Sequence, residues 1–231
     1  MQKELIVLSL GGSLIIPGEV DAKFLKEFRR IILKHAKKYK FIIVCGGGSI
    51  ARKYISVLKE FHVPQKVLNL MGMESTRMNT ELVASLFNKE PLDIIAKEEE
   101  IGRIRKILGK NSCAFVEAGK YHPNKTSDSG SALMANHFRT NFINLTNVPG
   151  LYDKNPKKYK DAKFIPDISW KGLYKMANQS KFQPGQHFVI DQTASRIIME
   201  NRITTYILGK NLTNLDNLLY GRKFTGTIVS G

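Results

Sequence analysis

Cysteine, tryptophan and acidic residues are scarce in this sequence. Its 231 residues include two cysteines, one tryptophan and 20 aspartates and glutamates. Cys45 and Cys113 both lie in apolar stretches, so we expect buried free thiols in a reducing compartment rather than a disulfide framework. The five histidines show no metal-ligand spacing. No apolar run approaches the ~18 residues of a membrane span. The start Met1-Gln-Lys-Glu leads straight into an apolar stretch, which predicts a cytoplasmic protein without a signal peptide.

The few acidic residues are outnumbered by 36 basic ones, which gives a formal net charge of +16. Such an excess suits anionic partners, either nucleotides or nucleic acid. The lysines are spread over nearly every segment, however, and the aromatic residues do not interleave with them as base-stacking platforms would. We therefore expect small anionic ligands, no nucleic-acid partner, and a solvated lysine-rich surface.

One glycine-rich stretch, FIIVCGGGSIAR from Phe41 to Arg52, has the pattern of a phosphate-binding loop. The apolar residues predict a buried strand, and the three glycines allow a sharp turn after it. Ser49 is expected to cap the following helix, whose N–H groups and dipole favour an anion. Arg52, one turn into that helix, can bind phosphate oxygens.

This local pattern leaves other interpretations open. Gly46, Gly48 and Ala51 also fit the dinucleotide-binding fingerprint of an oxidoreductase. That interpretation requires an acidic residue about 20 positions further on, but the next apolar stretch, 66–71, contains Asn69 and no acid. A purely structural glycine turn is the second alternative. The P-loop pattern Gly-x-x-x-x-Gly-Lys-Ser/Thr is absent from the sequence.

Strand and helix patterns alternate along the chain. Strands are predicted at 5–10, 41–45, 91–95, 112–117, 141–146, 204–208 and 226–229, and helices at 22–40, from 49 onward, and at 71–88, 98–108, 129–138, 170–176 and 192–201. Asp21 and Asp191 are the predicted caps of two of these helices. The alternation predicts an α/β fold, a three-layer αβα sandwich with a mostly parallel sheet.

Glycine- or proline-containing loops follow three of the strands, at 11–13, 46–49 and 118–128. In open α/β sheets, ligands bind beyond the carboxyl ends of the strands. The three loops therefore predict two phosphorylated ligands that face each other. The chain is expected to form a single domain, with a soft boundary near 139–141.

Six motifs together carry a resemblance to a known family. They are Gly11-Gly-Ser13, Gly46-Gly-Gly-Ser-Ile-Ala-Arg52, Leu70-Met-Gly-Met with Thr76-Arg-Met-Asn79, His122-Pro-Asn-Lys-Thr-Ser-Asp128, Thr146-Asn-Val-Pro-Gly-Leu-Tyr-Asp153 and Val189-Ile-Asp-Gln-Thr-Ala-Ser-Arg-Ile-Ile198. Over nearly its whole length the chain resembles the amino-acid kinase superfamily, and within it the uridylate (UMP) kinases of archaeal type. The resemblance implies an acceptor-binding lobe (1–140), an ATP-binding lobe (141–231), transfer of the ATP γ-phosphoryl group to UMP, Mg²⁺ bound with ATP, and a homohexamer.

The resemblance also implies roles for individual residues. Catalytic roles fall to Ser13, Arg52 and Asp128; UMP binding to Gly47, Asn69, Gly119, Lys120, Tyr121, His122, Pro123, Asn124, Lys125 and Thr126; and ATP binding to Gly11, Gly12, Ser13, Gly48, Arg52, Thr146, Asn147, Tyr152 and Asn155. For Asp128 the alternative is simple helix capping, and for Tyr152 it is packing within a turn.

Five positions depart from the pattern of the family. Ser9 stands where many members carry a lysine, Asn69, Pro149 and Asn155 stand where aspartates are common, and Ala118 replaces a glycine. Two alternatives to UMP kinase activity therefore stay open. One is a kinase that acts on another small phosphate or carboxylate, such as isopentenyl phosphate, and the other is a non-catalytic homologue that binds nucleotides or oxyanions.

Overall fold

The structure, a computed structural model, describes residues 3–117, 126–156, 158–179 and 189–231. Its strands are β1 (Glu4–Leu10), β2 (Tyr39–Cys45), β3 (Ile95–Lys97), β4 (Cys113–Glu117), β5 (Asn141–Leu145), β6 (Leu151–Tyr152), β7 (Phe164–Ile165), β8 (Asp167–Ile168), β9 (Thr205–Leu208) and β10 (Thr227–Val229). Its helices are α1 (Gly12–Ile15), α2 (Ala22–His35), α3 (Gly48–Glu60), α4 (Gln65–Ser85), α5 (Ile101–Lys110), α6 (Ser127–Phe138), α7 (Trp170–Gln179), α8 (Gln192–Glu200) and α9 (Leu212–Leu219), with a 3₁₀ helix at Pro91–Ile94.

Eight of the strands form one sheet in the order β3-β4-β2-β1-β5-β9-β10-β8. The pairs from β3 to β9 are all parallel, whereas β10 runs antiparallel to β9 and parallel to β8. Strands β6 and β7 form a separate antiparallel pair. The prediction of an α/β fold with a mostly parallel sheet is confirmed.

Helices cover both faces of this sheet, which explains why its central strands are almost continuously apolar. Helix α2 packs against α9 and, through Phe28 and Phe87, against the end of α4. Helix α6 packs on the opposite face against β1, β5 and α8, as right-handed crossovers require. The buried residues of both layers form one continuous core around β1, β2 and β5.

Several local predictions differ from the structure. Helix α4 begins at Gln65, and the segment predicted as a strand at 91–95 is mostly a 3₁₀ helix that precedes β3. Met78, an apolar residue of α4, is 56% exposed. Helix α9 was not predicted, since its start follows a glycine and a polar stretch at 209–211 with no strong pattern.

Within the described ranges, no helix has both the length and the apolar character needed to cross a membrane. Both cysteines are buried and free, as the sequence predicts. Burial raises the pKa of each thiol to about 12, so both groups stay protonated and unreactive at neutral pH.

Candidate active site

The loops that follow β1, β2 and β5 leave the sheet side by side at its carboxyl edge. The N–H of Gly46 donates to the carbonyl of Leu10 at 2.9 Å, and the N–H of Gly11 donates to the carbonyl of Leu145 at 2.9 Å. The N–H of Thr146 continues the pattern onto β9 by donating to Leu208 at 2.9 Å. The sheet hydrogen bonding thus extends one residue into each loop and fixes the loops relative to one another.

The two glycine loops interlock through their backbones. A Cβ atom on Gly12 would lie 2.5 Å from the carbonyl oxygen of Gly46, and one on Gly48 would lie 2.5 Å from the carbonyl oxygen of Gly12. Gly48 also has a φ of +67°, which favours glycine. The sequence predicted two separate phosphate loops, and the structure places them in direct contact.

A buried polar face of α4 supports the second glycine loop. The Asn79 side-chain amide donates to the carbonyl of Gly46 at 2.6 Å, and the residue is almost fully buried. A Cβ on Gly47 would touch Ala51 and Ser75. Asn79 belongs to one of the motifs quoted above, but no role was predicted for it, because a polar residue on a helix face does not reveal which carbonyl it contacts.

Helix α3 begins at Gly48, with Gly47 as its N-cap and without a side-chain cap. The prediction that Ser49 caps this helix is wrong, since Ser49 lies within the first turn and its hydroxyl donates to Gly18 at 3.4 Å. The Arg52 side chain is exposed one turn further on and forms no hydrogen bond or ion pair with a residue in the described part of the chain. An uncapped helix start with a nearby guanidinium is a favourable place for an anion.

Asp128 lies in the first turn of α6 and points toward the end of β1. Its carboxylate accepts a hydrogen bond from the Ser9 hydroxyl at 3.2 Å. The capping alternative for Asp128 is wrong, because Thr126 caps α6 by accepting from the N–H of Ser129 at 3.2 Å. Ser9 is only 1% exposed, so the position of the family's lysine holds a small buried hydroxyl beneath the carboxylate.

Burial is the main reason why the pKa of Asp128 rises to about 7, and the charge of Asp191 raises it further. The hydrogen bond from Ser9 lowers this pKa, but by less. Although part of the residue reaches the surface, protein surrounds its carboxyl group. Asp128 is therefore ready to change charge near neutral pH, as a carboxyl at a functional site often does.

Asp191 lies beside this group of residues, a position that the sequence did not predict. It was predicted only as a helix cap, and it does cap α8 by accepting from the N–H of Ala194 at 2.9 Å. The same carboxylate also accepts a hydrogen bond from the hydroxyl of Thr126. Its place in the Val189–Ile198 motif was the available signal, but spacing alone could not bring it to Thr126, 65 residues away.

The predicted ATP-binding residues lie after β5. Thr146 and Asn147 are partly exposed at the carboxyl edge, and Asn155 is partly exposed beyond β6. The ring of Tyr152 packs edge-on against Phe164 with centroids 5.4 Å apart, which agrees with the turn-packing alternative and leaves a nucleotide role untested. Asn69 lies on α4, where it accepts from Gln65 at 2.9 Å. Gly119 to Lys125 lie outside the described residues.

The structure thus brings a named set of predicted residues to one edge of the sheet: Gly11, Gly12, Ser13, Gly47, Gly48, Arg52, Thr126, Asp128 and Thr146. Glycine backbones can approach phosphate oxygens closely, and two such loops in contact suit two phosphorylated groups that meet. Fold and site together define a phosphate-binding α/β protein that has no P-loop.

Comparison with known proteins shows which family within this class the chain belongs to. Residues 4–209 match the Amino acid kinase family, and the chain belongs to that family. It is 34% identical to the uridylate kinase of Thermoplasma acidophilum over 229 residues, which cover 98% of this chain and 96% of that protein.

Solved structures agree. The uridylate kinase of Archaeoglobus fulgidus superposes with a TM-score of 0.79 and 27% identity, covering 97% of this chain and 99% of that one. The UMP kinase of Ureaplasma parvum superposes with a TM-score of 0.83 and 25% identity over the full length of both chains.

Proposed function

We propose that this protein is a UMP kinase, which transfers the γ-phosphoryl group of ATP to UMP and releases ADP and UDP, a step of pyrimidine nucleotide synthesis. The observation that carries the proposal is the interlocking of the Gly11–Ser13 and Gly46–Gly48 loops beside Asp128. Full-length similarity to uridylate kinases supports UMP as the acceptor.

The proposed reaction needs no general base. A phosphate oxygen of UMP, already anionic, attacks the γ-phosphorus of ATP while the bond from that phosphorus to the β–γ bridging oxygen breaks. Positioning and charge neutralisation then provide most of the catalysis. We assign the donor phosphates to Gly12 and Ser13, and the zone between donor and acceptor to Gly47, Gly48 and Arg52.

We assign the remaining contacts of the substrates on the same basis. Residues 119–126 would hold UMP, with the Asn69 amide near the ribose, where it can bond a hydroxyl less strongly than a carboxylate would. Thr146, Asn147, Tyr152 and Asn155 would surround the base and ribose of ATP. Asp128 would organise the reacting centre.

We propose Mg²⁺ as the cofactor. Mg²⁺ at kinase sites is usually held by substrate phosphates with one or two protein oxygens, rather than by a cage of protein ligands. Among the residues that the structure describes, no three acidic, histidine or cysteine side chains come together as such a cage. This agrees with an ion that enters bound to the phosphates of ATP, where it would neutralise their charge.

We also propose that the protein is a cytoplasmic homo-oligomer, with a hexamer as the expected form. The support for association is an apolar face on α3 and α4, defined by Tyr54, Val57, Phe61, Val67, Leu70 and Met78, all exposed. Phe61 is the most exposed of them, at 74%. Helices α3 and α4 pack against each other, and exposed apolar residues on neighbouring helices favour a protein partner. The unreactive buried thiols suit a reducing compartment.

The second candidate is a homologue that binds nucleotides without catalysis. The observation that favours it is Ser9, which is buried against Asp128 and brings no cation to the transferred phosphate. A kinase with another small phosphate or carboxylate as acceptor is a third candidate, since Asn69 replaces the aspartate usual for the acceptor ribose.

The test is ADP release from ATP and Mg²⁺ with UMP, CMP, dTMP, isopentenyl phosphate or no acceptor. We expect turnover with UMP alone, and its loss in Asp128→Asn. Turnover with another acceptor would replace UMP in the proposal. No turnover with any acceptor, while UMP still raises the melting temperature, would support the binding protein.

Arg52→Ala tests the phosphate loop itself. Loss of a charge-assisted bond to phosphate should cost ~2 kcal/mol, or about 30-fold in kcat/KM for UMP. Lys53→Ala is the matched control, because Lys53 is exposed at the next position and its ammonium lies 3.5 Å from the carbonyl of Gly18. Equal kinetics in the two variants would remove Arg52 from the site.

A further inference from the structure

One side-chain hydrogen bond joins the first turns of α6 and α8. The Thr126 hydroxyl donates to Oδ2 of Asp191 while it accepts from the N–H of Ser129. Asp191 in turn uses Oδ1 to accept from the N–H of Ala194. Each of the two side chains thus caps its own helix and bridges to the other, so the start of α6 is fixed against the start of α8.

The bridge connects two parts of the site that are distant in sequence. Thr126 ends the segment assigned to UMP, and Asp128, which contacts Ser9, follows two residues later. Asp191 lies in the half of the chain assigned to ATP. A change in this bond would therefore move the acceptor side of the site relative to the donor side.

We propose that Asp191 is a positioning residue, which holds Thr126, and with it the start of α6, in the orientation that UMP requires. The proposal rests on the proposed function. Asp191 does not need to touch either substrate, because it acts through Thr126. A helix cap alone would not need the second oxygen, since the Oδ1 contact with Ala194 already caps α8.

The charge of Asp191 also acts on Asp128, and this effect is separate from the hydrogen bond to Thr126. The elements that pack most extensively against α6 are β1, β2, β5 and α8. Glu98 lies against Gly130, and Arg105 of α5 stacks on Phe138 at the far end of α6 from Asp128. The titratable and charged residues on these segments are Glu4, Tyr39, Lys40, Cys45, Glu98, Asp191, Arg196 and Glu200. Of these, Asp191 is the one whose charge raises the pKa of Asp128, after burial itself.

Asp191→Asn separates the bridge from the cap. Asparagine is as good an N-cap as aspartate, so its one carbonyl oxygen can still accept from Ala194. Its second group is an amide that donates, and therefore it cannot accept from the Thr126 hydroxyl as the carboxylate does. We expect the Kd and KM for UMP to rise about tenfold, which is the effect of one lost hydrogen bond of ordinary strength, with a smaller change in kcat.

Four further variants make the test specific. Thr126→Val should weaken UMP binding at least as much as Asp191→Asn does, because it also removes the cap of α6. The double variant should be no worse than Thr126→Val alone, since the bond to Asp191 is already lost in that variant. Thr126→Ser keeps the hydroxyl and should bind UMP more tightly than Thr126→Val does. Asp21→Asn is the matched control, because Asp21 also caps a helix, by accepting from Phe24 at 3.0 Å, and takes no part in the site.

The stability of the protein gives a readout that does not need turnover. A raised pKa for Asp128 means that stability falls as pH rises from about 4 to about 7. Asp191→Asn removes the charge that raises this pKa, so this fall should become smaller. Thr126→Val keeps that charge and should leave the fall unchanged. Asp21→Asn should not make it smaller, because the pKa of Asp21 is lowered, chiefly by its hydrogen bond with Lys210, and this carboxylate adds stability as pH rises.

Three measurements together test the positioning role of Asp191: UMP binding by calorimetry, UMP kinetics, and melting temperatures from pH 4 to 8. A UMP Kd in Asp191→Asn within twofold of the unmodified protein would overturn the positioning role. Additive losses in the double variant would do the same. If the unmodified protein binds UMP without turnover, the proposed activity fails while the Kd comparison still tests Asp191; if it does not bind UMP at all, both fail.

Discussion

Gly48 is the residue at which a single added methyl group should do most harm. With a φ of +67° and the Gly12 oxygen 2.5 Å from an added Cβ, Gly48→Ala combines backbone strain with a clash. We expect a loss of at least about 2 kcal/mol in the free energy of unfolding. Urea denaturation measures it.

The matched control is Gly102→Ala in α5, where an added Cβ meets nothing within 4 Å. In an exposed helix this change should stabilise the protein by about 0.5 kcal/mol. If Gly48→Ala were as stable as Gly102→Ala, the two glycine loops would not interlock as described.

The ionised carboxylate of Asp128 should lower the free energy of unfolding of the protein above about pH 7. Because its pKa is raised to about 7 in the folded protein, folding favours the protonated form, and this contribution is fully present below about pH 4 and is lost as pH rises through 7. Asp128→Asn should therefore unfold at a higher temperature than the unmodified protein at pH 8 and at nearly the same temperature at pH 4.

We expect a gain on the order of 2 kcal/mol at pH 8, less than the whole shift implies because solvent reaches part of Asp128. Calorimetric melting at both pH values checks it. Asp216→Asn is a suitable contrast. Burial raises the pKa of Asp216, but the hydrogen bonds and charges of Lys34 and His35 together outweigh it and lower this pKa, so the loss of the carboxylate should destabilise the protein at pH 8. A gain in both variants would indicate a general charge effect.

The sequence was informative about residues whose role is set by the backbone, and less so about side-chain partners. Gly12, Gly48 and the caps Asp21 and Asp191 follow from local rules. Ser49 was mistaken for a cap because the preceding glycines can start the helix themselves. The bond between Thr126 and Asp191 depends on how α6 and α8 pack, which no local pattern encodes.

At the scale of elements, the parallel strands and most helices were predictable because buried strands and amphipathic helices have distinct periodicities. Helix α4 was shortened in the prediction since its first turns, from Gln65 to Leu70, are as apolar as a strand. Of the apolar residues in these turns, Val67 and Leu70 are exposed and Leu68 is buried, so the segment lacks the single apolar stripe that marks an amphipathic helix.

The exposed face of α3 and α4 leads to a prediction about assembly. Val57→Lys, alone or with Phe61→Lys, should lower the measured mass in sedimentation equilibrium by weakening association, since a charge at a buried contact is costly. Leu33→Lys is the control, because Leu33 is an exposed apolar residue on α2, outside this face. An unchanged mass in the double variant, or a monomeric unmodified protein, would contradict the proposed homo-oligomer.

At the scale of the whole molecule, the two predicted lobes share one sheet. The soft boundary near 139–141 falls just before β5, yet β5 pairs with β1 on one side and with β9 on the other. The core is likewise continuous across that boundary. The lobes at 1–140 and 141–231 stay a prediction about which substrate each part of the chain binds. Because both lobes share one sheet, we do not expect them to unfold separately.

We therefore predict that both halves unfold in one cooperative transition. Trp170, the single tryptophan, donates to Ile203 at 3.0 Å and reports on the second half. Cys45 and Cys113 are buried in β2 and β4 and report on the first half through their reactivity with a thiol probe. Breaking β5 away from either neighbour would expose the core of both halves, so urea midpoints from the two probes should coincide. Thiols that react well before the tryptophan signal changes would show instead that the halves open separately.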